Sequence, residues 1–146
     1  MGEYNMIDQF IFDFTERLIK ATKDNKVKWQ SLLVYEHLKI NYSELNFYLS
    51  NSNTKYNQIC KDTSYFVQSD EHLLVMLHEK KINDSNNQVD QYSLWLLKDY
   101  FSSIDNIGVY NEERLSDLNL TIQNYEETRK DDNLDPRNYL YCFIQD

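Results

Sequence analysis

The chain has 146 residues, of which 41% are hydrophobic and 14% aromatic, and a formal net charge of −9. That length and apolar content fit one domain with a core of its own and argue against global disorder. With two glycines (Gly2 and Gly108) and one proline (Pro136), the chain cannot spell a glycine-rich phosphate loop, a dinucleotide-binding turn or a nucleophile elbow. Each of these needs glycine where the backbone approaches a ligand or takes a positive φ.

In chain order, the first signal is helical. Ile7, Phe10, Ile11, Phe14, Leu18 and Ala21 recur at spacings of three and four and predict an amphipathic helix over about residues 5–23. Asn5 suits its N-cap, Asp8 its first turn, Lys20 and Lys23 its last turn, and Asn25 the left-handed residue that ends it. Trp29 is expected to cover one end of the core, and Gln30 to Leu38 suits a short helix better than a strand. From residue 45 the period reads as two: Leu45, Phe47 and Leu49 alternate with Asn46, Tyr48 and Ser50. Tyr56 to Lys61 alternates in the same way, with Gln58 and Cys60 on one face. Strands follow at Ser64–Gln68, His72–Lys81 and Val89–Lys98, separated by a tight turn at Ser69-Asp70 and a polar turn at Ser85 to Gln88. Leu115, Leu118, Ile122 and Tyr125 predict a late helix over about 111–125, with Asn111 as its cap. Glu126 to Pro136 reads as a charged connector, and Asn138 to Ile144 as a closing strand. Together these elements predict a single α+β domain over residues 1–146. Its N-terminal amphipathic helix packs on an antiparallel sheet of about five or six strands.

Two cysteines, Cys60 and Cys142, are too few for a disulfide framework and form no C-x-x-C pair. The opening MGEYNMIDQF lacks a basic stretch, and no apolar run is long enough to cross a bilayer. The expectation is a cytoplasmic protein with reduced thiols. His72 and His78 share a strand face but lie about 20 Å apart along it, at roughly 3.3 Å per residue, so they cannot hold one metal as an adjacent pair. His37 is the remaining histidine, and no metal or other cofactor is expected. Lys20, Lys23, Lys26 and Lys28, with Trp29 and Tyr35 nearby, are too small a basic cluster to offset the acidity of the whole, and direct nucleic-acid binding is not expected.

Phe14 to Trp29 (FTERLIKATKDNKVKW) resembles the opening of a group of small bacterial proteins of unknown activity, common in Firmicutes and their mobile elements. That resemblance implies the same α+β arrangement, with core strands at Asp70 to Leu77 and Tyr92 to Leu97 and a late helix at Leu115 to Tyr125. It implies no catalytic residue. The chain departs from the group in its extension, residues 126–146.

The charge is uneven: residues 1–100 hold 14 acids against 11 bases, and residues 101–146 hold 10 against 4. Glu112, Glu113, Asp117, Glu126, Glu127, Asp131, Asp132 and Asp135 concentrate that excess. They are the candidate partner-binding residues, with the helix dipole already a sufficient reason for Glu112 and Glu113. An acidic surface repels nucleic acid and anionic membranes and attracts a basic protein such as a nuclease or a toxin. The sequence therefore favours a non-enzymatic binding protein, an anti-defence inhibitor of a nucleic-acid-handling enzyme of the anti-CRISPR kind. The alternatives are an immunity protein that neutralises a toxin, or a small enzyme with a carboxylate site that matches no motif.

Overall fold

A computed structural model describes residues 2–37, 42–70, 72–98, 107–110 and 114–132, with side chains over 9–35, 42–70, 72–98 and 114–125. The chain opens with helix α1 (Gly2–Lys23), a two-residue strand β1 (Gln30–Ser31) and a 3₁₀ segment (Leu32–His37). Helix α2 (Ser43–Asn51), strand β2 (Asn57–Ile59) and a 3₁₀ turn (Lys61–Thr63) come next. Strands β3 (Tyr65–Ser69), β4 (His72–Ile82), β5 (Gln88–Leu97) and β6 (Ile107–Tyr110) lead to helix α3 (Leu115–Asp132). The fold is α+β, as the periodicities predict.

All pairings among the described strands are antiparallel, in the order β1-β3-β4-β5-β6. Strand β4 is long enough for two neighbours on one edge: β3 pairs with its first half and β2 with Glu79, Lys80 and Lys81. Its side chains alternate between two buried faces. Leu73, Val75 and Leu77 face Leu32, Tyr35, Tyr42 and Leu45, from α2 and the segments before it. Met76 faces Leu18 and Ile19 of α1 and Leu115, Leu118 and Ile122 of α3. Three layers result, with α2 on one side of the sheet and the α1–α3 pair on the other.

The local chemistry explains the element ends. Lys26 N–H donates to the Ala21 carbonyl at 2.8 Å and Asn25 N–H to that of Thr22 at 3.0 Å, with Asn25 at φ 59°. This is a Schellman close with the expected asparagine in the left-handed position. Trp29 is buried, and its indole N–H donates to Thr22 Oγ1 at 3.0 Å. Asp70 (φ 56°) turns the β3–β4 hairpin and Asn86 (φ 62°) the β4–β5 hairpin, where Asn83 Oδ1 accepts from the N–H groups of Ser85 and Asn87 at 3.0 Å each. In a glycine-poor chain, asparagine and aspartate take the positive-φ positions, where they are the best-tolerated residues after glycine.

Three expectations are corrected. Residues 45–50 belong to helix α2, not to a strand: Tyr42, Leu45, Tyr48 and Leu49 share a helical face, which packs on the sheet, while Phe47 points out. The buried stripe of α1 is rotated. It comprises Ile11, Thr15, Leu18, Ile19 and Thr22, and Phe10 is 65% exposed, stacked on a half-buried Phe14 at 6.3 Å. Thr15 and Thr22 donate their hydroxyls to the carbonyls of Ile11 and Leu18 at 2.7 Å, so they can pack as small residues with no unmet hydrogen bond. Finally, α3 continues to Asp132, so most of the supposed connector is helix. Glu126 to Asp132 contains no glycine or proline and has Glu126 and Lys130 at helical i,i+4 spacing. The closing strand expected at 138–144 lies outside the described residues.

These positions separate by stability. Leu118→Ala, at the contact of α3 with α1 and the sheet, is expected to cost about 2–5 kcal/mol. Phe10→Ala is expected to change stability by no more than about 0.5 kcal/mol. Urea unfolding of the two variants measures both.

Candidate functional site

Of the acidic residues read from the sequence, Asp117 is the one with a described side chain. Asp117 is exposed in the first turn of α3, where its carboxylate suits the helix dipole and accepts from Arg114 Nε at 3.2 Å. The Arg114 guanidinium also pairs with Glu16 of α1 and lies 5.9 Å from the centre of the Phe12 ring. Asp117 thus belongs to the contact that ties α3 to α1. Glu126, Glu127, Asp131 and Asp132 fall in the last two turns of α3. At 1.5 Å rise per residue, Asp132 is about 22 Å along the axis from Asp117. Glu112, Glu113 and Asp135 lie outside the described residues.

A second constellation, not anticipated from the sequence, centres on β4. Two consecutive residues, His78 and Glu79, are both buried and point to opposite faces. On the α1–α3 side, His78 Nε2 lies 2.8 Å from Asp90 Oδ1 and Nδ1 lies 2.7 Å from Thr63 Oγ1. An ionised carboxylate only accepts, so in the neutral imidazole the hydrogen sits on Nε2 and Nδ1 accepts from the Thr63 hydroxyl. Tyr92 stacks on the imidazole at 4.6 Å and 14°. The backbone is pinned as well: His78 N–H donates to Ser64 Oγ and Cys60 N–H to the His78 carbonyl, each at 2.9 Å. Asn119 of α3 donates to the Thr63 carbonyl at 2.8 Å and accepts from Gln123 at 2.6 Å.

On the other face, Glu79 is 1% exposed. Its Oε2 accepts from the Tyr48 hydroxyl at 2.6 Å and from Asn57 Nδ2 at 2.7 Å. Two donors on one oxygen are strong, charge-assisted compensation for a buried carboxylate. The Tyr48 ring also packs on Trp95 at 4.6 Å, and Asn57 Nδ2 is shared with the Ser52 carbonyl at 2.7 Å. Asn57 Oδ1 is buried without a hydrogen-bond partner among the described residues.

Burial raises the Tyr48 hydroxyl far above its ordinary value of 10.0; the bond to Glu79 and its negative charge push the same way, and Ser52 opposes them. Tyr35 and Tyr92 are also raised by burial, Tyr92 additionally by Asp90. Cys60 is a half-buried free thiol, pushed up by burial and pulled back by the Lys80 charge. Cys142 lies outside the described residues.

The other candidates separate cleanly. Lys20, Lys23, Lys26 and Lys28 are all exposed. Trp29 and Tyr35 are buried beneath the surface and cannot stack on a base. His72 is exposed and far from the His78 cluster along the strand. Of the tyrosines with described side chains, Tyr56 is exposed at 61%, while Tyr35, Tyr42 and Tyr65 are core residues. Among the described residues no group of three His, Cys, Asp or Glu side chains could hold a metal, and no helix is long and apolar enough to cross a membrane. No family model, curated protein or solved structure matches the chain.

Two measurements follow from the buried pairs. Glu79→Ala strands the Tyr48 hydroxyl and the Asn57 amide and is expected to cost at least about 1–3 kcal/mol in a urea titration. Because the Tyr48 pKa is raised on folding, the unfolded chain gives up that proton first. The Tyr48 contribution to stability is therefore full below pH 10.0 and falls as pH rises above it. Tyr48→Phe is expected to flatten that fall between about pH 10 and 11.5, read as thermal midpoint against pH.

Proposed function

We propose that the protein acts by binding a basic protein partner through the acidic end of α3, and that it inhibits a nucleic-acid-handling enzyme by occupying a groove built for phosphates. The observation that carries this reading is the continuity of α3. Its first half is anchored in the core by Leu115, Leu118 and Ile122. The helix then runs on through Glu126, Glu127, Asp131 and Asp132 to its last turn. A helix presents charge at fixed spacing, with less ordering entropy to lose on docking than a flexible connector. The uneven charge of the chain supports the same reading, since the last 46 residues carry ten acids against four bases. Of the seven tyrosines with described side chains, three are core, three are half-buried and one is exposed, and this reading does not depend on them.

The inhibitor reading differs from the immunity-protein reading in the partner: a defence nuclease for the first, a co-encoded toxin for the second. The test has two stages. Affinity capture from a host lysate at low and high salt identifies a basic partner. Binding is then measured for the purified pair with Glu126, Glu127, Asp131 and Asp132 all changed to lysine. We expect association to slow steeply as salt shortens the screening length, about 8 Å at physiological ionic strength. The quadruple variant is expected to lose at least tenfold in affinity, about 1.4 kcal/mol, with little change in thermal midpoint. Unchanged affinity in that variant would return the helix end to a solubilising role.

A further inference from the structure

We propose that Thr63, His78 and Asp90 form an acyl-transfer site on uncharged carboxylic esters, with the Thr63 hydroxyl as nucleophile, His78 as general base and Asp90 as the group that orients the imidazole. This goes beyond the partner-binding reading and does not rest on it: the three residues lie on the sheet and the 3₁₀ turn, away from the charged end of α3.

The arrangement has the three parts that activate a hydroxyl: a nucleophile within hydrogen-bond reach of a base, and a third group that fixes the base. Both distances, 2.7 Å to the hydroxyl and 2.8 Å to the carboxylate, lie within the range for proton transfer, roughly 2.6–3.2 Å. Nδ1 serves the hydroxyl and Nε2 the carboxylate, and either imidazole nitrogen can fill either role. The ring cannot turn freely, because its two nitrogens are engaged and Tyr92 covers one face. Thr63 is fixed through its carbonyl by Asn119. The residues are therefore preorganised, as catalytic groups must be.

Position supports the same use. The hydrophobic rows of this sheet face, Leu74 with Leu96 and Met76 with Leu94, end at His78 and Tyr92. One row on come Lys80 and Asp90. The imidazole is shielded, with 9% of the His78 side chain exposed against 54% for Asp90, and Thr63 is half-buried at the margin. Lys80, two residues on from His78 on the same face, adds a positive charge to this row that is felt at the neighbouring Cys60. The exposed carboxylates of Asp62 and Asp90 disfavour anionic substrates.

In the first step Thr63 Oγ1 bonds to the ester carbonyl carbon and its proton passes to His78 Nδ1. The resulting imidazolium faces the Asp90 carboxylate through Nε2. The tetrahedral adduct collapses, the bond to the alcohol oxygen breaks, and the alcohol leaves with the proton from Nδ1. Water then attacks the Thr63 ester, giving its proton to Nδ1, and the acid departs as the proton returns to Thr63.

A fluorophosphonate probe tests the site directly, since attack by Thr63 forms an O–P bond and releases fluoride. The folded full-length protein is expected to gain the mass of one probe, mapped by fragmentation to Thr63. Thr63→Ser keeps the labelling, Thr63→Val loses it, and Asp90→Asn slows it by about a hundredfold. Circular dichroism of each variant checks the fold, and the serine variant preserves the test should the valine variant unfold. No adduct on the folded wild-type protein, an adduct on Ser64 or elsewhere, or equal labelling of a folded Thr63→Val protein would each overturn the proposal.

Discussion

Strand β4 is buried on both faces, and the rest of the molecule follows from that constraint. A strand with one wet face needs one covering layer; β4 needs two. Leu73, Val75 and Leu77 require α2 and its preceding segment on one side, and Met76 requires α1 and α3 on the other. Each layer must close for the strand to leave water, so elements far apart in the chain are coupled through a single eleven-residue segment.

The same constraint explains why the buried polar residues sit where they do. Beyond Leu77 the strand continues with His78 and Glu79, which point to opposite faces and find different partners. Glu79 meets two donors, Tyr48 and Asn57. His78 meets one hydroxyl and one carboxylate. A slip of one residue would exchange the two side chains and set a carboxylate against Asp90. Residues 73–77, all apolar, discriminate weakly between registers. The polar pair that follows discriminates strongly, because each member fits only its own side.

Much of this architecture was legible in the sequence. The strands from Tyr65 to Leu97 and their turns carry short-range signals: alternation, Asp70 in one hairpin, an asparagine-rich loop in the other. The close of α1 at Asn25 was equally local. Sequence and structure part where two periods overlap or where hydrophobicity is the wrong measure. Leu45, Phe47 and Leu49 alternate, yet Tyr42, Leu45 and Tyr48 recur every third residue, and docking against the sheet decided for helix. Thr15 and Thr22 belong to the buried stripe of α1 because their hydroxyls are satisfied within the helix, which a count of apolar residues does not register. The Thr63, His78 and Asp90 cluster has no motif spacing, since its members come from a turn and two strands. One signal was available: a hairpin turning near residue 85 sets His78 opposite Tyr92 and one row from Asp90. The bond to Thr63 depends on how the preceding 3₁₀ turn packs, and that is a tertiary fact.

The pairing of α1 with α3 has a consequence for how the chain assembles. Glu16 and Arg114, which join the two helices, are 98 positions apart. The meander from β3 to β5 closes through near neighbours and can form early, whereas α1 waits for α3, far along the chain. On the ribosome, at roughly 5–20 residues per second, the apolar face of α1 stays uncovered by α3 for about 5–20 seconds. During that interval α1 lacks one of its partners, and the threonines in its buried stripe leave it less sticky than a face built wholly of leucine and isoleucine.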